Sequence, residues 1–110
     1  DKTVVPDLVA LAQKATLPEG RLHALWTLEA LGAITANDIA QALQDKEAGV
    51  RENAIRLAEL HLKDEPSLEQ ALLALQNDSD AKVRFQLLCT LGFSSTPQAA
   101  TVRNKLLFQD

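Results

Sequence analysis

The sequence predicts an all-α fold, a short α–α superhelix of about seven helices, from three observations. An arginine begins a similar apolar stretch three times, at Arg21, Arg51 and Arg84, which are 30 and 33 residues apart. A second apolar stretch ends each unit, at LQD (43–45), LQND (75–78) and LFQD (107–110). Aromatic residues make up only 4% of the chain and tyrosine is absent, which disfavours a sheet. Two helical stretches in a unit of this length are typical of stacked helical hairpins.

The chain is expected to begin with half a repeat at residues 7–16. Its apolar positions have the i, i+3, i+4, i+7 spacing of one helix face: Leu8, Leu11, Ala12 and Ala15. Leu17 precedes Pro18, and a residue before proline is driven away from helical geometry, so this helix is predicted to end there. We interpret it as the second helix of a truncated hairpin.

Three full repeats follow, at residues 19–45, 46–78 and 79–110, each with two predicted helices. Apolar residues recur on one face of each helix and form the predicted core. In the first repeat they are Leu22, Leu25, Trp26, Leu28, Ile39, Ala42 and Leu43. In the second they are Val50, Ala54, Ile55, Leu57, Ala58, Leu62, Leu68, Ala71, Leu72 and Leu75. In the third they are Val83, Leu87, Leu88, Leu91, Ala99, Val102, Leu106 and Leu107.

Glycine, threonine and proline mark the predicted ends of these helices. Gly32 is predicted to adopt the left-handed conformation that ends a helix. Thr35 followed by Asp38 predicts a capping box at the start of the next helix. Pro66 is expected in the first turn of a helix, and the Thr-Pro pair at 96–97 predicts an N-cap followed by proline at the first helical position.

Length and charge limit the functions open to this chain. With 110 residues it is a single domain, and because it begins at Asp1 and contains no Met we expect a fragment of a larger protein. A net charge of −4 with scattered lysines and arginines disfavours nucleic-acid binding, which needs clustered basic residues. No apolar run approaches the length of a membrane span, so no membrane insertion by this segment is expected.

An acidic turn followed by Val-Arg begins the second and third repeats, as DKEAGVR (45–51) and DSDAKVR (78–84). The first aspartate closes the preceding hairpin, the next acidic residue lies where it can cap a helix, and the valine begins the apolar stripe. The arginine is predicted to reach the preceding aspartate in an exposed ion pair of small energy. The residues predicted to tie the repeats together are Asp45, Val50, Arg51, Asp78, Asp80, Val83 and Arg84.

This pattern resembles the HEAT and HEAT-like helical repeat family over nearly the whole chain. Arg21 keeps the arginine, but Gly20 replaces the valine, so the first repeat is the more divergent one. The strings at 21–35, 50–59 and 82–92 also resemble the HEAT-like segment of large exported bacterial proteins, membrane-bound dehydrogenases. In those proteins the segment lies between a sugar-dehydrogenase-like β-propeller and a haem-binding cytochrome c domain. That resemblance implies an exported or periplasmic location. The chain has no Cys-x-x-Cys-His motif, so it cannot attach such a haem, and no cofactor is expected.

Residues with catalytic or metal-binding chemistry do not form a recognisable site. His23 and His61 occupy different repeat positions, and Cys89 is predicted to be a buried packing residue, so no metal site is expected. GFSSTP (92–97) lacks the context of a nucleophile elbow. Trp26 is interpreted either as core or as part of an exposed contact. The remaining candidates for acid–base chemistry are predicted to be solvated: Glu19, Glu29, Glu59, Glu65 and Glu69. The segment is therefore not expected to be an enzyme.

The second helix of each hairpin is expected to line the concave face, which is the usual binding surface of such repeats. The solvent-facing candidates there are Asp38, Gln41, Gln44, Glu69, Gln70, Gln76, Gln98, Thr101 and Lys105. This polar, nearly uncharged face favours a protein, a peptide or a neighbouring domain as partner. The leading hypothesis is a non-catalytic interaction or spacer module, with end-to-end self-association through uncapped terminal helices. The alternative is a HEAT-like domain contributing to an enzyme, a bilin lyase or a DNA glycosylase.

Overall fold

The computed structural model describes residues 2–108, and within that range it is all-helical, with no strand. A short 3-10 helix, Lys2–Val4, leads into the first α-helix. Residues 109 and 110 end the third predicted repeat and include its closing Asp110; they lie outside the described range. The helices are α1 (Val5–Lys14), α2 (Pro18–Ala30), α3 (Ala36–Ala42), α4 (Ala48–His61), α5 (Leu68–Leu73), α6 (Ala81–Leu91) and α7 (Pro97–Leu107).

Capping residues end and begin the helices where the sequence predicts them. After α2, Gly32 has a φ of +67°, and its amide donates to the Glu29 carbonyl while the Ala33 amide donates to the Leu28 carbonyl. These two bonds define a Schellman motif, which satisfies carbonyls at the helix end. Thr35 then forms the predicted capping box with Asp38, each side chain accepting from the other residue's backbone amide.

Two of the three prolines near predicted helix starts begin a helix, and the third does not. Pro18 is the first residue of α2, so it begins a helix there, and α1 has already ended at Lys14. Pro97 begins α7 after the N-cap Thr96, as predicted. Pro66 instead lies in the turn before α5, so the prediction of proline within that first helical turn is wrong. A run of tight turns occupies this segment and shortens α5 to 6 residues.

The helices pack in two layers. In one layer α2 contacts α4 and α4 contacts α6, while in the other α1 contacts α3 and α3 contacts α5. The layers are joined by α1 on α2, α3 on α4, α5 on α4 and α7 on α6. The resulting body is flat and elongated, with extents of 45 × 28 × 16 Å. Because α4 contacts α2, α3, α5 and α6, it lies at the centre of the packing.

Most of the predicted core is buried between the layers, including Leu25, Leu28, Ile55, Leu57 and Leu87, all of which are fully enclosed. Some predicted core positions are only half-buried against it: Leu8, Leu22, Leu62, Ala71, Leu75 and Leu88. Three were predicted to be in apolar stripes but are exposed: Leu11, Trp26 and Leu107. Cys89 is exposed as well, so the prediction that it is a buried packing residue is wrong.

Candidate functional site

The repeated arginines form bidentate ion pairs with aspartates. Arg21 Nε and Nη2 lie 2.8 and 2.9 Å from the carboxylate oxygens of Asp45. Arg51 repeats this geometry on Asp78, at 2.8 and 3.0 Å. Each guanidinium therefore joins the first helix of one predicted repeat to the turn after its second helix, and we call these four residues the arginine–aspartate ladder.

The remaining guanidinium nitrogen bonds to the preceding turn. Nη1 of Arg51 donates to the Asp45 carbonyl at 2.9 Å, and Nη1 of Arg84 donates to the Asp78 carbonyl at 2.6 Å. Arg21 does the same to the Ala15 carbonyl at 2.7 Å. The prediction that Arg51 forms an ion pair with the preceding aspartate is therefore wrong: Arg51 pairs with the carboxylate of the following turn. Arg51 and Arg84 each donate to the backbone carbonyl of the preceding aspartate instead.

The ladder is largely buried, which overturns the expectation of exposed pairs. The side chains of Arg21 and Asp45 are 4% and 10% exposed, and those of Arg51 and Asp78 are 15% and 6% exposed. Burial alone raises the pKa of each aspartate, but the arginine bonds and a backbone amide outweigh it, so the net pKa of both carboxyl groups lies below its ordinary value. The aspartate bonds raise the pKa of both arginines against the opposing effect of burial.

Each ladder aspartate also organises the helix that follows it. Asp45 accepts from the Glu47 amide and Asp78 from the Asp80 amide, both at 2.9 Å. Asp80 then caps α6 by accepting from the amides of Lys82 and Val83. Glu47 is the N-cap residue of α4 but makes no capping bond with its side chain. The ladder side chains thus make their hydrogen bonds to groups within the chain.

A second series of contacts between units escaped the sequence reasoning. Glu29 Oε1 lies 2.5 Å from His61 Nε2, and Glu59 Oε1 accepts from the Thr90 hydroxyl at 2.8 Å. Glu29 and Glu59 each lie eight residues after a ladder arginine. This shared spacing is the sequence signal that could have predicted contacts between repeats. Each glutamate was instead predicted, on its own, to be solvated.

Two predicted members of the concave face, Asp38 and Glu69, are buried, so the prediction that they face solvent is wrong. Asp38 is occupied in the capping box of α3. Glu69 accepts hydrogen bonds from the hydroxyl groups of Ser94 and Thr96, and so ties α5 to the start of α7. Their carboxylates are already bonded within the chain and leave little for an external ligand.

Five other predicted face residues line two open grooves between helices of the second layer. One groove, of about 540 Å³, lies between α1 and α3 and exposes Gln41 and Gln44. The other, of about 520 Å³, lies between α5 and α7 and includes Gln70, Gln98 and Thr101. We call these five residues the amide face; the structure brings them into two neighbouring grooves with small apolar residues between them.

Lys105 and Gln76, also predicted as face contacts, bond to each other. Lys105 Nζ lies 3.0 Å from Gln76 Oε1 and 2.8 Å from Asn77 Oδ1, which links α7 to the turn after α5. Trp26, 36% exposed, donates from Nε1 to Asn53 Oδ1 at 3.1 Å and so joins α2 to α4. Trp26 therefore lies at the surface and not in the core.

No group of three or more histidine, cysteine, aspartate or glutamate side chains in the described part of the chain could hold a metal ion. Within residues 2–108, no helix is long and apolar enough to cross a membrane. Comparisons with protein-family models, with curated proteins and with solved structures give no match to this chain.

Proposed function

We propose that this chain is a non-catalytic interaction or spacer module, built as a short HEAT-like solenoid of three hairpins and a leading half repeat. Three features support the solenoid: the two-layer packing, the equivalent arginine–aspartate pairs of successive units, and the glutamates eight residues after the arginines. The proposed binding surface is the amide face, and the proposed ligand is an extended segment of another protein or of a neighbouring domain.

The observation that carries this proposal is the chemistry of the amide face. Gln41, Gln44, Gln70 and Gln98 are all exposed, and each amide offers two N–H donors and a carbonyl acceptor. An extended polypeptide presents the same two kinds of group, because every residue but proline carries a backbone N–H and a C=O. Amide side chains along a groove can therefore pair with a peptide backbone largely independently of its sequence.

Size and charge favour the same class of ligand. The grooves are open and lined with small apolar residues such as Ala42, Ala74 and Val102, which leave room for a peptide's side chains. Lys14 and Lys46 are the exposed cations at the first groove, too few for a nucleic-acid backbone. The amide face holds no aromatic anchor, so we expect modest affinity.

A selection from randomised, unstructured displayed peptides would test this proposal. Enriched peptides should bind the chain, and the double variant Gln70→Ala with Gln98→Ala should weaken binding about thirtyfold, because the two lost hydrogen bonds contribute about 1 kcal/mol each. Arg56→Ala, exposed in the other layer, is the matched control and should leave affinity unchanged. Amide chemical shifts that move only in α2, α4 and α6 would contradict the proposed surface.

Titrations with a bilin and with duplex DNA at low salt would test the enzyme-associated alternatives. Saturable binding of either ligand would displace the peptide proposal, whereas the scattered basic residues lead us to expect none for DNA.

We further propose that the module serves as a spacer in a larger exported dehydrogenase–cytochrome protein, on the strength of the resemblance at residues 21–35, 50–59 and 82–92. The coding sequence on either side tests this directly. A β-propeller pattern upstream with a Cys-x-x-Cys-His downstream would support it. Further helical repeats alone on both sides would contradict it and leave a plain scaffold.

A further inference from the structure

The groove between α1 and α3 is the one in the amide face that charged side chains line. In the described part of the chain these side chains are three cations and two acids: Lys14, Arg21, Lys46, Asp38 and Asp45. The groove between α5 and α7 is lined by uncharged residues. The two grooves therefore offer a peptide the same amide groups in surroundings of different charge.

Three of these five charged side chains already bond within the chain. Arg21 and Asp45 form a buried pair of the arginine–aspartate ladder. Every guanidinium nitrogen of Arg21 donates, since Nε and Nη2 bond to that carboxylate and Nη1 bonds to the Ala15 carbonyl. Asp38 is 6% exposed, and its carboxylate accepts from the Thr35 amide in the capping box. Both acids are therefore held by bonds within the chain and offer little carboxylate surface to the groove.

The two lysines of the groove differ from the other three charged residues, because both are exposed. Within the described residues neither Lys14 nor Lys46 forms an ion pair or a side-chain hydrogen bond. Lys46 is close enough to Asp45 to contribute to the lowered pKa of that carboxyl group, but it makes no ion pair with it. Lys105, by contrast, bonds to Gln76 at the other groove. The ammonium groups at the first groove can therefore donate their N–H bonds to a ligand.

We propose that this groove selects peptide segments that carry aspartate or glutamate, whose carboxylates bind Lys14 and Lys46 while Gln41 and Gln44 pair with the peptide backbone. The inference rests on the proposed peptide binding of the amide face and adds a charge preference to it. Charge complementarity favours this occupant. The chain carries a net charge of −4, so an acidic segment is repelled by most of its surface and is attracted where exposed cations lack acidic partners.

A carboxylate fits this groove better than a phosphate group does. Phosphorylated motifs are typically bound by arginine clusters, whose guanidinium groups donate two parallel bonds to the phosphate oxygens. Arg21 is the sole arginine among the described residues that line the groove, and its nitrogens are occupied by Asp45 and Ala15. The lysines supply compact point charges instead, which suit the single charge of a carboxylate.

Fluorescence anisotropy with two labelled peptides of equal length tests this preference. One peptide alternates glutamate with serine, and the other alternates glutamine with serine. We expect the glutamate peptide to bind about tenfold more tightly at low salt, because two exposed ion pairs of modest strength add to the backbone bonds. This advantage should disappear as salt screens the pairs. Equal affinities at low salt would overturn the charge preference and leave the proposed peptide binding intact, whereas binding of neither peptide would overturn both.

Charge reversal at the groove assigns the preference to its lysines. The double variant Lys14→Glu with Lys46→Glu should abolish the advantage of the glutamate peptide and leave the affinity for the glutamine peptide unchanged. The double variant Lys63→Glu with Lys82→Glu is the matched control, because it changes the net charge equally at exposed positions outside both grooves of the amide face. This control should keep most of the advantage. An equal loss in the two double variants would show that net charge alone sets the preference, and would overturn the proposed groove.

Glu47→Gln supplies a test in the opposite direction. Glu47 is exposed beside Lys46, and its side chain makes no capping bond although it is the N-cap residue of α4. Removing this negative charge should strengthen binding of the glutamate peptide about twofold, because exposed charges interact weakly. A purely structural role for this turn gives no reason for tighter binding. Weaker binding of the glutamate peptide to this variant would contradict the placement of its carboxylates beside Lys46.

Discussion

At the scale of single residues, the buried ion pairs are the positions where a substitution has most to disturb. Arg51 donates to the Asp78 carboxylate and to the Asp45 carbonyl while only 15% of its side chain is exposed. Removing it leaves a carboxylate in a largely dry setting. A buried charge without its partner is costly, even though the intact pair adds little net energy compared with an apolar replacement.

We therefore predict that Arg51→Ala lowers the free energy of unfolding by about 3–5 kcal/mol. Arg56→Ala, which removes a 55% exposed side chain lying 3.5 Å from Glu52, should change it by less than about 0.5 kcal/mol. Urea denaturation of both variants at neutral pH makes the comparison. Equal, small losses would show that the ladder is as weak as a surface pair.

The depressed pKa of Asp45 and of Asp78 predicts the pH dependence of this contribution. A carboxyl group whose pKa is lower in the folded state stabilises the fold above its unfolded pKa, near pH 4, and loses that contribution as pH falls through the folded pKa. The double variant Asp45→Asn with Asp78→Asn should hence be less stable than wild type at neutral pH. The difference should shrink toward zero in strong acid, and urea denaturation across that pH range would reveal it.

Residue-level properties were also the hardest to predict from the sequence. Arg51 and Asp78 could be recognised from their repeated spacing, but their burial depends on how the turns pack. Cys89 belongs to an apolar run that predicts burial, yet it holds the repeat position of Trp26 and Arg56, which are exposed as well. Glu69 is an ordinary helical glutamate in sequence, and only the fold brings Ser94 and Thr96, more than twenty residues away, to its carboxylate.

At the scale of elements, local capping rules predicted the helix ends well where one residue decides the geometry. Gly32 and Thr35 behave as expected, because a left-handed turn and an N-cap depend on short-range bonds. Pro66 does not, because a proline is compatible both with the first helical turn and with the turn before it. α5 begins two residues after Pro66, at the buried Leu68.

Two glycines allow backbone strain to be separated from packing. A Cβ added at Gly32 or at Gly49 would meet no atom within 4 Å, but only Gly32 has a positive φ. Gly32→Ala should thus destabilise the protein by about 1–2 kcal/mol. Gly49→Ala, within α4, should stabilise it by up to about 1 kcal/mol. Thermal or urea denaturation would distinguish them; a destabilised Gly49→Ala would contradict the assignment of that residue to a regular helix.

At the scale of the whole molecule, the layers make stability depend on the position of a residue along the array. The period of about thirty residues predicted three hairpins, but only part of that pairing is present: α4 contacts α5 and α6 contacts α7, whereas α2 packs on α1 and α4 and has little contact with α3. The sequence did not predict how far each face would be covered, since coverage depends on what lies beside each unit. Central and terminal helices consequently carry similar apolar patterns but differ in their surroundings.

The last prediction follows from that arrangement. Leu57, fully buried on the central α4, supports both layers, so Leu57→Ala should cost about 2–5 kcal/mol. The loss should lower hydrogen-exchange protection in every helix, because opening α4 removes a neighbour from α2, α3, α5 and α6. Val102→Ala, on the terminal α7, should lower protection mainly in α7 and α6. In an array where each unit contacts only its neighbours, a destabilised terminal unit need not lower the protection of distant units. Equal, global loss of protection in both variants would instead indicate a single cooperative core, and would count against the solenoid.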